Sequence, residues 1–106
     1  MLASAMAVEC LRCCTVLNKE DWAASISGSI LGDEHTDTYF RCAGCGFYTV
    51  VADWDDFTGV ETTTVSGPLA GAEGDERVRL IRQCAQPWDK QCRCPAHRAY
   101  FHNTLD

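Results

Sequence analysis

The clearest alternation of apolar and polar positions brackets a pair of cysteines. Thr38-Tyr39-Phe40-Arg41 runs into Cys42-Ala43-Gly44-Cys45-Gly46, and Phe47-Tyr48-Thr49-Val50-Val51-Ala52 runs out. Aromatic and β-branched residues suit a pleated, half-buried surface, so these flanks predict two strands joined through the cysteine-bearing turn. Asp53-Trp54-Asp55-Asp56 ends the second strand with an acidic cluster that reads as a solvated edge. Val60 to Val65, with Thr62, Thr63 and Thr64, predicts a further strand. Near the start, residues 2–8 and Thr15-Val16-Leu17 read as short strands around Cys10-Leu11-Arg12-Cys13. Asn18 to Trp22 is turn-like, and Glu20 to Ser25 reads as the start of a helical turn. Ser27 to Asp33 reads as loop or weak strand, because glycine weakens both regular structures. Ser66 to Gly74 holds three glycines and Pro68 and predicts a loop and internal boundary.

Beyond that loop the period changes. Asp75 is placed to cap a helix over about 76–86, with Val78, Ile81 and Ala85 at helical spacing and Leu80 and Cys84 on an adjoining stripe. Pro87 stops it. Pro95 suits the first turn of a second short helix running through Tyr100 and Phe101. The expectation is an α+β fold in one domain over residues 1–106. Residues 8–65 form a small antiparallel sheet, and 75–106 form a helical portion with a metal-clamped C-terminal tail.

Eight cysteines in 106 residues change the picture most. A small domain buries a modest core, so a cross-link or a metal helps it fold. Compartment separates disulfide scaffolds from metal sites. Met1 to Val8 is apolar but short and lacks a basic start, and Cys10 follows directly. A signal peptide is therefore not expected, and a reducing, cytoplasmic setting is. No stretch approaches the ~20 apolar residues of a membrane span.

Net charge is −6, with nine acidic and three basic residues in 1–56 and six of each in 57–106. Thiolates on a metal make the loaded protein more acidic still. That argues against a general nucleic-acid binder. Arg77, Arg79, Arg82, Lys90, Arg93 and Arg98 face Asp89 alone within 77–98. They read first as compensation for the acidic remainder. The alternative is a phosphate-contacting face with Trp88, Tyr100 and Phe101 for stacking. Trp22, Trp54 and Trp88 themselves read as core or interface.

The pairs Cys10/Cys13 and Cys42/Cys45 are each Cys-x-x-Cys, separated by 28 residues. Such a turn brings both sulfurs to one ion, and two of them supply four thiolates in a tetrahedron. Disulfides or a redox Cys-x-x-Cys are the competing readings. Cys42-Ala43-Gly44-Cys45-Gly46 followed by Phe47-Tyr48 resembles the second knuckle of the zinc-ribbon and rubredoxin-like families. The resemblance covers residues 8–53 and implies a zinc-ribbon-like sheet with a structural zinc, iron being the alternative. Zinc ribbons serve many unrelated roles, so the motif carries no function with it. Cys14 departs from the pattern, standing where the first knuckle often has glycine. It is either a free structural thiol, a replacement ligand for Cys13, or a redox group.

Cys84, Cys92, Cys94 and His97 lie within fourteen residues. The loop 86–91 can fold Cys92 and Cys94 back to Cys84. Cys94, just before Pro95, is placed at a helix N-cap, and His97 follows in the first turn on the same side. Three thiolates and an imidazole make a second tetrahedral zinc site. The competing reading is core cysteines beside a surface histidine. His102 is the alternative ligand, and His35, in a polar loop, reads as solvent-exposed. An iron–sulfur cluster is disfavoured because the spacing matches no established pattern.

Both quartets are filled by protein, whereas a catalytic zinc keeps an open position. No His-Glu-x-x-His, His-x-Glu, phosphate-loop or Gly-x-Ser-x-Gly motif occurs. The sequence thus points to a non-enzymatic protein with two structural zincs, acting as an interaction module for a protein partner. Its strand edge or Asp53–Asp56 rim would be presented to that partner. Rubredoxin-like electron transfer or thiol redox, and nucleic-acid binding through 77–98, are the alternatives. Metal removal is expected to unfold much of the chain, and Cys42→Ser to cost most of the fold.

Overall fold

A computed structural model describes residues 8–106; the strand residues expected at 2–7 lie outside the described residues. The order is β1 (Val8–Glu9), β2 (Val16–Leu17), a 3-10 turn (Lys19–Asp21), β3 (Trp22–Ile30), β4 (Asp33–Arg41), β5 (Tyr48–Asp55) and β6 (Glu61–Leu69). Two helices follow, α1 (Gly71–Arg82) and α2 (Pro95–Tyr100). β1 and β2 pair as a short antiparallel ladder. β3 to β6 form a four-stranded antiparallel meander in chain order. The fold class is α+β, as the two hydrophobic periods predict.

The period-2 rule decides which face of the meander is covered. Ala24, Tyr39 and Val50 are partners across β3, β4 and β5. With Ile26 and Tyr48 they pack against Val78 and Ile81 of α1 and against Phe101 just after α2. Tyr39, Ile26 and Ile81 are at most 1% exposed, so this is the main core. A separate small cluster joins Leu17 to Cys10 and Cys42, with Val8 and Phe40 alongside.

Several elements differ from expectation, each for a tertiary reason. Of the loop-or-weak-strand alternatives for Ser27 to Asp33, Ser27 to Ile30 takes the strand, as the second half of β3. Gly28 is required there, since a Cβ would sit 2.7 Å from both Phe101 and Leu105. The expected turn at Glu20–Ser25 shrinks to Lys19–Asp21, and β3 begins at Trp22. β5 continues through the acidic cluster to Asp55. β6 runs through Gly67-Pro68 to Leu69, and among the described residues no strand pairs on its other side; proline is tolerated on such an edge. α1 starts at Gly71 and ends at Arg82. Asp75 lies inside it and accepts a hydrogen bond from the Tyr48 hydroxyl (2.6 Å) instead of capping. Gly74 lets the helix lie on Tyr48, whose ring would be 2.1 Å from an added Cβ. Gly71 and Gly74, which suggest a loop, are therefore contact points of a helix, while Gly67 lies in β6.

All three tryptophans are exposed, at 51%, 45% and 69% for Trp22, Trp54 and Trp88, so none is core. No helix among the described residues is long and apolar enough to cross a membrane.

Candidate metal centres

All eight cysteines are free thiols. Seven of them, with His97, gather into two quartets, and within each quartet the ligand atoms lie within 4.8 Å of one another. These are the groups Cys10, Cys13, Cys42 and Cys45, and Cys84, Cys92, Cys94 and His97.

The first quartet is built from two superimposable turns. The β1–β2 turn closes with the Cys14 N–H donating to the Cys10 carbonyl at 2.8 Å. The β4–β5 turn closes with the Gly46 N–H donating to the Cys42 carbonyl at 2.7 Å. The fifth residue of each turn has positive φ, +66° at Cys14 and +78° at Gly46. Cys14 thus takes the backbone role of the knuckle glycine, and Cys13 stays in the quartet. Two contacts pin one turn to the other. The Leu11 N–H donates to the buried Thr49 hydroxyl (3.2 Å), and the Arg12 guanidinium lies 4.5 Å from the centre of the Phe47 ring.

The sulfurs of Cys10 and Cys45 are 3.5 Å apart, and those of Cys13 and Cys42 are 3.6 Å apart. A tetrahedron with metal–sulfur bonds of about 2.3 Å has edges of roughly 3.8 Å, so little movement is needed to close on an ion. Cys10 and Cys42 are buried, while Cys13 is exposed. The Thr15 hydroxyl, 3.1 Å from the Cys13 sulfur, holds that thiol down at about 6. At Cys45 the Phe47 N–H also pulls downward, but burial and the neighbouring cysteine sulfurs, Cys10 first, outweigh it and leave about 11. Without an ion the cluster therefore shares its protons unequally. A metal drives all four to thiolate.

The second quartet joins three segments. Cys84 follows the end of α1, and its N–H donates to Ile81. Cys92 sits in the loop that returns the chain, its sulfur 3.6 Å from that of Cys84. Cys94 is the N-cap of α2, and its sulfur accepts from the His97 N–H at 3.4 Å. His97 is fully buried, with Nδ1 3.3 Å from the Cys84 sulfur. Its Nε2 lies 2.6 Å from the Ser27 carbonyl oxygen. A carbonyl only accepts, so we assign the proton to Nε2, which leaves the Nδ1 lone pair facing the sulfurs. An imidazole anchored this way is the usual outer arrangement of a metal-ligating histidine. Burial pushes the Cys84 thiol up to about 12, while the His97 N–H pulls Cys94 down.

This quartet also seals a sheet edge. Among the described residues β3 has no strand beyond it. Its Ser27 N–H donates to the Pro87 carbonyl at 2.8 Å, and its Ser27 carbonyl accepts from His97. The loop between Cys84 and Cys94 thus stands where a further strand would otherwise pair.

The remaining candidates fall outside the quartets. His102 is exposed, at the positive-φ turn after α2. His35 is not in an exposed loop: it lies in β4, half-buried, with its ring 3.8 Å from that of Trp54. The basic stretch is divided rather than continuous. Lys90 pairs with Glu34 at 2.6 Å, and Arg93 donates to the carbonyls of Lys90, Cys92 and Asp106. The acidic rim is also partly structural. Asp56 accepts from the Thr58 hydroxyl and from the N–H groups of Thr58 and Val60, which hold its carboxyl below the ordinary range. Ser27, Thr15 and Thr49 support the quartets without any motif that marks them. Only Thr15, a hydroxyl two residues after Cys13, carries a local hint.

Comparison with protein-family models, with curated proteins and with solved structures finds no match to this chain.

Proposed function

We propose that this chain is a non-enzymatic zinc protein whose two metal sites are structural and which acts as a protein-interaction module. The observation that carries this reading is donor count: each quartet offers four protein ligands within 4.8 Å of one another. A tetrahedral ion held so has no position for water or substrate. Zinc is favoured by the nitrogen donor His97 in the second quartet and by the two thiolate knuckles of the first. Two Cys-x-x-Cys turns on hairpin tips are the features expected of a zinc ribbon, which supports that architecture for residues 8–53. Free thiols throughout fit a reducing, cytoplasmic setting.

The surface for a partner is the far end of the meander. Leu31 in the β3–β4 turn and Phe57 and Val60 in the β5–β6 turn are 85%, 80% and 58% exposed. The two turns adjoin, since an added Cβ at Gly32 would lie 3.7 Å from the Phe57 Cβ. Asp55, Asp56 and Glu61 lie beside them in sequence, so the fitting partner is a basic protein surface with an apolar anchor.

Native mass spectrometry with elemental analysis of anaerobically purified protein tests the metal reading. Two zincs and no visible absorption are the expected result; iron, which colours a thiolate site, overturns it in favour of electron transfer. For the interaction, a partner captured by the wild type should be lost with a Leu31→Glu/Phe57→Glu double variant that keeps both metals. Retention of the partner by that variant moves the interface elsewhere.

A further inference from the structure

A cleft of about 570 Å³ opens between α1, the start of β3 and the second knuckle. Three arginines line it: Arg41 at the end of β4, and Arg79 and Arg82 one helical turn apart on α1. Arg77 takes no part. It lines a different cavity, beside the Tyr39 hydroxyl.

The acidic groups of the same cleft have other partners. Asp75 accepts from the Tyr48 hydroxyl at 2.6 Å, and Asp21 accepts from the Asn18 N–H at 3.0 Å. With the Asn18 amide turned to satisfy its neighbours, its nitrogen donates to Glu20 at 2.6 Å. Among the described residues the one close ion pair is Lys90–Glu34. Arg41, Arg79 and Arg82 therefore have no carboxylate within 4 Å. Arg82 gives one N–H to the Ala23 carbonyl at 3.0 Å. Each guanidinium has five donors in a planar fork, so many remain free. Glu20, Asp21 and Asp75 balance the three arginines in formal charge, so what the cleft offers an anion is the arginines' free N–H donors rather than net positive charge.

Trp22 supplies the second half of the recognition. It lines the same cleft, is 51% exposed, and has its indole N–H fixed to the Ser25 hydroxyl at 3.0 Å. A half-exposed indole anchored by its nitrogen offers a preset face to a flat ring. The cleft volume falls within the range that takes a small molecule, about 300–1,000 Å³.

We propose that this cleft binds a nucleoside phosphate, with Arg41, Arg79 and Arg82 on the phosphate and Trp22 stacked on the base. Guanidinium forks match phosphate oxygens pairwise, and base–indole stacking tolerates any base. Ala43 of the second knuckle forms part of the wall, so the cleft depends on the first quartet holding that turn in place.

Isothermal titration of the metal-loaded full chain with adenosine and guanosine mono- and diphosphates tests the site, with inorganic phosphate and adenosine as partial ligands. Nucleotides should bind in the micromolar to low millimolar range, and both partial ligands more weakly. Arg41→Ala and Arg79→Ala should each weaken nucleotide binding about tenfold or more, which is roughly 1.4 kcal/mol or more. Both should keep metal content and melting temperature, and Arg98→Ala should bind as the parent does. Trp22→Phe assigns the Trp22 indole resonance. In the unmodified chain that resonance should move on nucleotide addition, while those of Trp54 and Trp88 stay. No heat and no Trp22 shift at millimolar nucleotide overturns the proposal, as does full affinity in Arg79→Ala. Inorganic phosphate binding as tightly as nucleotide overturns the stacking role of Trp22.

Discussion

The two quartets are made in different ways. The first is assembled from two local turns, each closed by its own hydrogen bond and each bearing two thiols at fixed spacing. Its surroundings are a small cluster of Val8, Leu17 and Phe40. The second is assembled from the end of one helix, a loop and the start of another, and its histidine is tied to a strand seventy residues away in sequence. It therefore holds α2 and Phe101 onto the sheet and adjoins the main core, with the His97 ring stacked on that of Phe101 at 5.7 Å. Metal count alone treats the sites as equal, whereas their positions in the fold make the second the more structural of the two.

Breaking the second quartet should have the largest effect. His97→Ala should lose one metal and on the order of 5 kcal/mol of stability, because α2 and Phe101 are released and the Ser27 carbonyl loses its donor. Native mass spectrometry and circular dichroism melting check this; two metals and an unchanged melt would reverse the ranking of the sites. Cys42→Ser should lose the other metal at a smaller cost, on the order of 3 kcal/mol. No residue of 8–17 belongs to the main core, so the sequence-based expectation that this variant loses most of the fold is narrowed. Hydrogen exchange should speed up in 8–17 and 42–47 and stay slow at Ile26 and Ile81.

A third change probes the helix seam near the first quartet. Burial, then the hydrogen bond to Asp75, raises the Tyr48 phenol to about 12. Its unfolded value is about 10. A folded value above the unfolded one contributes stability that is whole below pH ~10 and is lost as pH rises toward 12. Tyr48→Phe should cost about 1–2 kcal/mol at pH 7 and flatten the alkaline decline between about pH 10 and 12. Urea midpoints of both proteins across that range test it; parallel curves would show that Tyr48 is not the group responsible.

The smallest effect sharpens the comparison of the two knuckles themselves. Cys14 holds φ +66°, a conformation that costs a non-glycine residue about 1–2 kcal/mol, where the second knuckle has Gly46. Cys14→Gly should stabilise the protein by about 1 kcal/mol with both metals kept, glycine's greater unfolded-state freedom offsetting part of the gain. Loss of a metal in this variant would instead make Cys14 a ligand.

Legibility followed the range of the interactions. The quartet members, the α2 start at Pro95 and the strands around Cys42–Cys45 were readable because spacing, capping and alternation act over a few residues. The glycine-bearing helix 71–75 was not, and the second half of β3 was legible only as loop or weak strand. Gly74 and Gly28 are where a helix meets Tyr48 and where a strand meets Phe101, and no local rule foretells such approaches. Of the core-or-interface reading of the tryptophans, exposure removes the core half, since large apolar residues read as core wherever they stand.

The sequence by itself narrowed the candidate donors to two groups, because a thiol or imidazole at knuckle spacing is chemistry written into the chain. Only the tertiary structure decided which residues support them, which arginines remain unpaired, and which edge of the sheet is closed. Each of those depends on groups far apart in sequence brought together by burial. Thus Cys13 rather than Cys14 faces the first quartet, and His97 rather than His102 the second.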